Sequence, residues 1–144
     1  MIFQGKYDLK AAREKVWRFI IDPANISKCL PELKSLDVES EDRFLAVLHV
    51  GVGVIRTDFK FRIEILEKNP IDSVKLKVMG AGSGSSVQVQ LTIELKEALE
   101  GTELSYSSDV TIGGIIASLG QRVIRDAAEK TVASVFECVR QQVE

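Results

Sequence analysis

Residues 55–65 read IRTDFKFRIEI, a stretch in which apolar and polar side chains alternate almost without interruption. A period of two places the apolar side chains on one face of a β-strand and the charged side chains on the other. The same alternation recurs in residues 74–78, 87–95 and 104–112. One apolar face and one charged face are typical of an antiparallel sheet that is covered on one side only. The pattern therefore predicts strands through most of residues 33–112.

The segments before this region predict one strand and two helices. Residues 3–9 alternate and indicate an opening strand, whereas residues 11–21 have the apolar spacing of a helix. Asp22 is expected to cap a second short helix, with Pro23 in its first turn. Pro31 is expected to end that helix.

The stretch from Ile115 to Glu144 contains no proline and is predicted to form one long helix with a wide apolar stripe. The inner face of the sheet is the surface available to bury this stripe. We therefore predict an α+β fold, a single domain over residues 1–144, in which a curved antiparallel sheet of six to seven strands wraps around the C-terminal helix and encloses an apolar cavity. Gly120 is expected inside the helix, either to allow close packing or to leave space for a ligand.

The composition excludes several classes of function. The 144 residues include 19 basic and 21 acidic side chains without a basic cluster, so nucleic acid is not expected as a partner. No apolar run is long enough for a signal peptide or a membrane span, which predicts a cytoplasmic protein with at most peripheral membrane contact. Cys29 and Cys138 match no metal-binding or redox spacing, so we expect free thiols, with a disulfide between them as the alternative.

The alternating strands and the helix stripe predict which side chains line the cavity. The candidate ligand-binding residues are Leu48, Val50, Phe59, Phe61, Ile63, Leu76, Val78, Val89, Leu91, Tyr106, Ser108, Val110, Leu119, Gly120, Val123 and Ala127. Tyr106 and Ser108 are the polar members. Each is expected either to orient a polar group of the ligand or to bond backbone or water at the sheet margin.

The other chemically interesting residues are expected to have structural roles. His49, the single histidine, falls on the outer face by alternation and has no neighbours at a metal-ligand spacing, so neither a metal site nor a catalytic triad is predicted. Gly80, Gly82 and Gly84 precede a strand rather than a helix, which argues against a phosphate loop and favours a flexible hairpin at the sheet edge or a lid. Trp17 is expected in the core. No cofactor is predicted.

Several segments resemble the G-subunit family of carbon monoxide dehydrogenase, which belongs to the START-like (SRPBCC, helix-grip) superfamily. They are Asp22-Pro23 followed by Cys29-Leu30-Pro31, residues 44–53 with their glycines, and residues 113–124, GGIIASLGQRVI. The chain departs from the family pattern at Glu32, where the family has glycine. Its glycine hairpin is also shorter than the family's.

This resemblance implies binding or carriage of a small lipid-like or quinone-like molecule. It also implies a role as accessory factor to a molybdenum-containing carbon monoxide dehydrogenase, an enzyme of the molybdenum hydroxylase type. Two alternatives remain open at the level of sequence. One is an enzyme of the polyketide cyclase or hydrolase type, although no catalytic constellation is visible. The other is a protein-binding accessory protein whose cavity is filled by Phe44, Phe59, Phe61 and Trp17.

Overall fold

The computed structural model describes all 144 residues and consists of seven strands and three helices. The strands are β1 (Ile2–Leu9), β2 (Leu33–Ser40), β3 (Arg43–Val52), β4 (Ile55–Asn69), β5 (Ser73–Gly82), β6 (Ser85–Ala98) and β7 (Gly101–Gly114). The helices are α1 (Arg13–Ile20), α2 (Pro23–Ile26) and α3 (Gln121–Val143), with 3₁₀ turns at Ser27–Cys29 and Ile116–Leu119.

All seven strands form one antiparallel sheet in the order β1-β7-β6-β5-β4-β3-β2. The predicted alternation is confirmed in β4, where Phe59 is buried while Asp58 and Lys60 on either side are exposed. The predicted fold class, a curved sheet gripping a C-terminal helix with two short helices after the first strand, is therefore confirmed.

The connection between β1 and β2 begins with the predicted helix cap. The Asp22 carboxylate accepts a hydrogen bond from the Ala24 backbone N–H at 2.9 Å, and Pro23 occupies the first turn of α2. The connection ends at Glu32, whose φ of +50° lies in the left-handed region. Glycine adopts this conformation without steric cost, so the backbone at this position favours glycine over Glu32.

The C-terminal helix begins later than predicted. Gly120 has a φ of +92° and stands between the 3₁₀ turn Ile116–Leu119 and α3. A side chain at Gly120 would meet no other atom within 4 Å, so close packing does not explain the glycine. The residue is exposed and does not face the interior, so reserved ligand space does not explain it either. The backbone turn at the start of α3 requires it, because other residues rarely adopt this φ.

The expectation of free thiols is wrong. Cys29 and Cys138 form a disulfide that joins the 3₁₀ turn after α2 to the last third of α3, across 109 positions of sequence. The Cα atoms of the two cysteines are 5.4 Å apart, within the range that a disulfide requires. Because the two cysteines are far apart in sequence, the sequence alone does not show that they are close in space.

The apolar interior is packed at its two ends and not in between. The larger cluster surrounds α1 and the C-terminal end of α3, and its eleven buried members are Leu9, Val16, Trp17, Phe19, Cys29, Ile65, Val74, Leu95, Leu104, Val139 and Val143. The smaller cluster lies where α3 begins and contains Phe59, Ile116 and Ile124. The expected position of Trp17 in the core is confirmed. The two clusters hold α3 against the sheet near its two ends.

A matched pair of leucine substitutions tests which residues hold the fold. Leu104 is fully buried in the larger cluster, whereas Leu99 is fully exposed in the turn between β6 and β7. We expect Leu104→Ala to lower the free energy of unfolding by about 2–5 kcal/mol, because it removes packed methyl groups and leaves a cavity. Leu99→Ala should change it by less than about 0.5 kcal/mol. Urea unfolding followed by circular dichroism measures both, and equal effects would contradict the assigned core.

Candidate functional site: an uncharged internal cavity

A cavity of about 470 Å³ lies between α3 and the inner face of the sheet. This volume is within the range of small-molecule pockets, about 300–1,000 Å³. Thirty of the 34 residues around it are hydrophobic, and the set contains no Asp, Glu, His, Lys or Arg. Every strand of the sheet except β2 contributes to the wall.

The side chains of the protein do not fill this space. Ile63, Leu76, Val78 and Leu91 lie on the inner face of the sheet and line the cavity, yet each is only half-buried. Inner-face residues of a packed core are normally inaccessible to solvent. Of the aromatic residues expected to occupy the space, Phe44, Phe59 and Phe61 form parts of the wall, and Trp17 lies in the larger packed cluster.

The structure brings twelve of the sixteen predicted site residues together around the cavity. They are Val50, Phe59, Phe61, Ile63, Leu76, Val78, Val89, Leu91, Tyr106, Ser108, Val110 and Ala127. Leu119 and Val123 instead lie beside the turn between β3 and β4, with Val123 37% exposed. Gly120 is exposed in the turn before α3. Leu48 pairs with Leu33 and Phe59 across neighbouring strands and does not reach the cavity.

Sequence reasoning missed the part of the wall formed between α1 and β2. Its cavity-lining residues are Ile20, Ile21, Pro23, Ile26 and Leu30. The spacing of Pro23, Ile26 and Leu30, three and then four positions apart, places them on one side of the segment. That periodicity was the available signal, but nothing in the sequence shows what this side faces.

The glycine hairpin, residues 80–84, does not line the cavity. Gly80 and Gly82 are paired within β5, and the turn itself consists of Ser83 and Gly84, both with positive φ. Two such residues are the usual connection of a tight β-hairpin. The hairpin joins two central strands and so does not lie at the edge of the sheet. At Gly80 a side chain would collide with the Phe61 ring, since an added Cβ would lie 2.6 Å from it.

Three hydroxyl groups belong to the cavity wall, and two of them are already hydrogen-bonded to the backbone. The Ser108 hydroxyl donates to the Phe3 carbonyl at 3.3 Å, and the Thr131 hydroxyl donates to the Ala127 carbonyl at 2.9 Å. The Tyr106 hydroxyl makes no hydrogen bond with another protein group. Tyr106 is therefore the wall residue whose hydroxyl has no hydrogen-bond partner within the protein.

The ring of Tyr106 belongs to an aromatic group that includes Tyr7 and Phe136. The Phe136 ring stacks on Tyr7 at 4.3 Å and on Tyr106 at 5.4 Å between centroids. Gly5 on the neighbouring strand leaves room for the Tyr106 ring, because an added Cβ would approach it to 3.0 Å. Burial is the largest cause of the raised pKa of Tyr106, and the nearby Tyr7 and Glu129 raise this pKa further. The phenol is therefore protonated at neutral pH and can donate a hydrogen bond.

His49 lies on the outer surface, as predicted, where it belongs to a small charged network. Its Nδ1 is 2.9 Å from Asp58 Oδ1, and Lys34 Nζ is 2.9 Å from Asp58 Oδ2. Hydrogen bonds from Lys34 and His49 lower the pKa of Asp58. The residues of this network are on the face of the sheet opposite the cavity, so it offers no proton-transfer group to a ligand inside.

Comparison with known families gives one match that spans nearly the whole chain. Residues 5–144 match the family model for the G subunit of carbon monoxide dehydrogenase (CoxG). A comparison with functionally curated proteins finds no significant match. None of the helices combines the length and the hydrophobicity needed to cross a membrane.

Solved structures share the fold. A conserved protein from Geobacillus kaustophilus is 29% identical, with a TM-score of 0.93 over 99% of this chain and 95% of that one. A START superfamily protein from Mycobacterium smegmatis is 11% identical, with a TM-score of 0.75 over 99% and 96%. The Zhui aromatase/cyclase from Streptomyces sp. R1128 is also 11% identical, with a TM-score of 0.75 over 99% and 93%. The fold is therefore START-like, as the sequence predicts.

The raised pKa of Tyr106 predicts a pH-dependent stability. The folded protein holds the phenol proton more tightly than the unfolded chain, so this stabilisation is fully present below the unfolded pKa and is lost as pH rises through the folded pKa. Between about pH 9 and pH 11, wild type should lose more stability than Tyr106→Phe. Urea unfolding of both proteins across this range measures the difference. Parallel pH profiles of the two proteins would contradict the assignment.

Proposed function

Because the chain belongs to the CoxG family, the G subunits of carbon monoxide dehydrogenase, we propose that it binds and carries a small hydrophobic molecule in its internal cavity. The observation that supports this proposal best is the cavity itself, with a volume of about 470 Å³ and a wall without ionisable side chains other than Tyr106. The START-like fold agrees with such a role. The proposed ligand contacts are the twelve wall residues named above.

The wall chemistry favours a neutral ligand. A carboxylate or phosphate placed in this cavity would leave water without gaining a cationic partner, which costs several kcal/mol. A neutral lipid-like or quinone-like molecule loses little on transfer and gains from burial of its apolar surface. The ligand class that we propose is therefore an uncharged, mainly hydrocarbon molecule.

Tyr106 is proposed to orient this ligand. Its protonated hydroxyl is free to donate, and the aromatic stack with Phe136 and Tyr7 fixes the direction of the ring. A carbonyl or ether oxygen on the ligand would accept this hydrogen bond. The remaining wall supplies nonspecific apolar contact, so one polar contact sets the orientation of the molecule.

The family name supports a second element of the proposal, a role as accessory factor to a carbon monoxide dehydrogenase. Such a partner would receive or provide the carried molecule. We propose a cytoplasmic location for this exchange. Co-purification of the dehydrogenase from the same host on the tagged protein tests the association, and its absence under conditions that retain the ligand would argue against it.

An enzyme of the cyclase type is the competing function, since one structural neighbour is an aromatase/cyclase. At 11% identity that likeness extends to the fold alone. Proton transfer within a cavity requires positioned acids or bases, and here Tyr106 is the single ionisable side chain of the wall. These observations favour a carrier over a catalyst.

Replacing either of two alanines on α3 with tryptophan tests the proposed binding site. Ala127 lines the cavity, whereas Ala133 is exposed on α3 and lies outside the wall. We expect Ala127→Trp to weaken binding of a neutral fluorescent probe, N-phenyl-naphthylamine, by at least about tenfold, because the indole occupies cavity volume. Ala133→Trp adds the same side chain at the surface and should leave the affinity unchanged. Fluorescence titration measures both dissociation constants.

Equal affinities for the two variants would contradict the proposal, since the probe would then be bound elsewhere. Thermal melts of both variants establish that each is folded. A loss of binding in both, with both folded, would place the probe on the exposed side of α3.

A further inference from the structure

We propose that the disulfide between Cys29 and Cys138 is a redox-controlled latch on the cavity. This inference rests on the proposed ligand-binding function and adds its regulation. The segment concerned is the arch, residues 22–30, which consists of α2 and the following 3₁₀ turn. The arch runs between α1 and β2 and forms one part of the cavity wall.

The arch has almost no hydrogen bonds to the rest of the protein. Its backbone and side-chain hydrogen bonds are local and connect residues inside the arch, such as Ser27 to Ala24 and Leu30 to Ser27. It has no strand partner, and Cys29 is its only buried residue. A segment held mainly by local bonds opens at low free-energy cost compared with the paired strands.

The apolar side chains of the arch attach it only in part, through Cys29 in the larger cluster and Ile26 packed against that cluster. Pro23, Ile26 and Leu30 all line the cavity, so part of their surface faces open space rather than packed neighbours. Each remains half-buried. Dispersion contacts are lost wherever a side chain faces a void. The disulfide adds the covalent non-local connection of the arch.

The disulfide joins the arch to α3, which lies directly beside it. Cys138 lies on α3 close to two residues of the cavity wall, Phe136 and Val139. Its sulfur is 3.6 Å from the Lys28 carbonyl oxygen, which places the arch directly against the helix. While the bond is intact, the arch and α3 cannot separate. When it is broken, the arch can move away and expose the cavity.

The reaction that opens the latch is thiol–disulfide exchange with a dithiol. Cys29 is 5% exposed, whereas Cys138 is half-buried, so the attacking thiolate reaches the Cys138 sulfur. Attack forms a mixed disulfide with Cys138 and releases the Cys29 thiolate, which takes up a proton. The second thiol of the reagent then displaces Cys138, which also becomes protonated. The protein gains two electrons and two protons, and the dithiol is oxidised to its disulfide.

The latch predicts a specific kinetic result. Reduction makes opening of the arch more frequent, whereas the closed arch presents the same wall to the ligand. Association and dissociation rates should therefore increase together while the dissociation constant changes little. We expect both rates for N-phenyl-naphthylamine to increase about tenfold on reduction of the wild-type protein with dithiothreitol. Stopped-flow fluorescence measures both rates. The Cys29→Ser/Cys138→Ser variant should behave like reduced wild type and be insensitive to the reductant.

Two results would overturn the latch. One is that reduction changes neither the association rate nor the dissociation rate of the probe. The other is a weaker affinity that arises from faster dissociation alone, which would mean that the disulfide shapes the binding site rather than access to it. Thermal melts before and after reduction show whether the reduced protein is folded under the conditions of the kinetic experiment.

Hydrogen exchange tests the latch without any ligand and thus separates it from the proposed function. On reduction, backbone amides of the arch should exchange faster, while those of the central strands β5 and β6 keep their protection. If the probe fails to bind but the arch still responds in this way, the latch is supported and the proposed function is not. Unchanged arch exchange, or equal acceleration in the central strands, contradicts the latch.

Discussion

One helix cannot cover the inner face of seven strands. At about 4.8 Å between neighbouring strands, the sheet would be nearly 30 Å wide if flat, whereas a helix with its side chains is about 10–12 Å across. The sheet must therefore curl around α3 to bury its apolar face. Contact is achieved near the two ends of the helix, through the buried Ile124 and Val139. Between these contacts the sheet and the helix stand apart, and the cavity is the consequence.

The same constraint leaves the interior unfilled, and this is the basis of the proposed ligand-binding function. Cavity-facing side chains such as Ile63, Leu76 and Leu91 remain partly accessible, so the chain alone does not complete its own hydrophobic burial. A ligand that fills the space would contribute about 25 cal/mol for each Å² of apolar surface removed from water. The charged side chains of β3, β4, β5 and β6 point to the outer face, where pairs such as Arg43 and Glu64 form. Alternation thus separates a charged exterior from an uncharged ligand site.

The sequence was sufficient to predict what depends on local periodicity. The inward direction of Phe59, Tyr106 and Ser108 follows from a period of two, and the Asp22 cap follows from local hydrogen-bonding chemistry. The disulfide could not be predicted in this way because it depends on long-range geometry. The partner of Cys29 lies 109 positions away, and only the folded arch brings the two together.

The prediction at the start of α3 failed for a different reason. Helical periodicity continues through residues 115–123, but Gly120 adopts a left-handed φ and separates the 3₁₀ turn from the helix. The spacing of apolar residues does not reveal that the backbone changes direction at one residue. As a result Leu119 and Val123 face the turn between β3 and β4 instead of the cavity. Glu32 likewise has a left-handed φ that is visible only in the structure, although it is not a glycine.

The central claim is that an uncharged wall selects a neutral apolar ligand. The most direct measurement compares the affinities of a long-chain alcohol and the carboxylate of equal chain length at neutral pH, by calorimetry. The alcohol should bind at least about tenfold more tightly, because the carboxylate finds no cation in the cavity and loses its hydration. Equal or tighter binding of the carboxylate, with competition between the two molecules, would contradict the account.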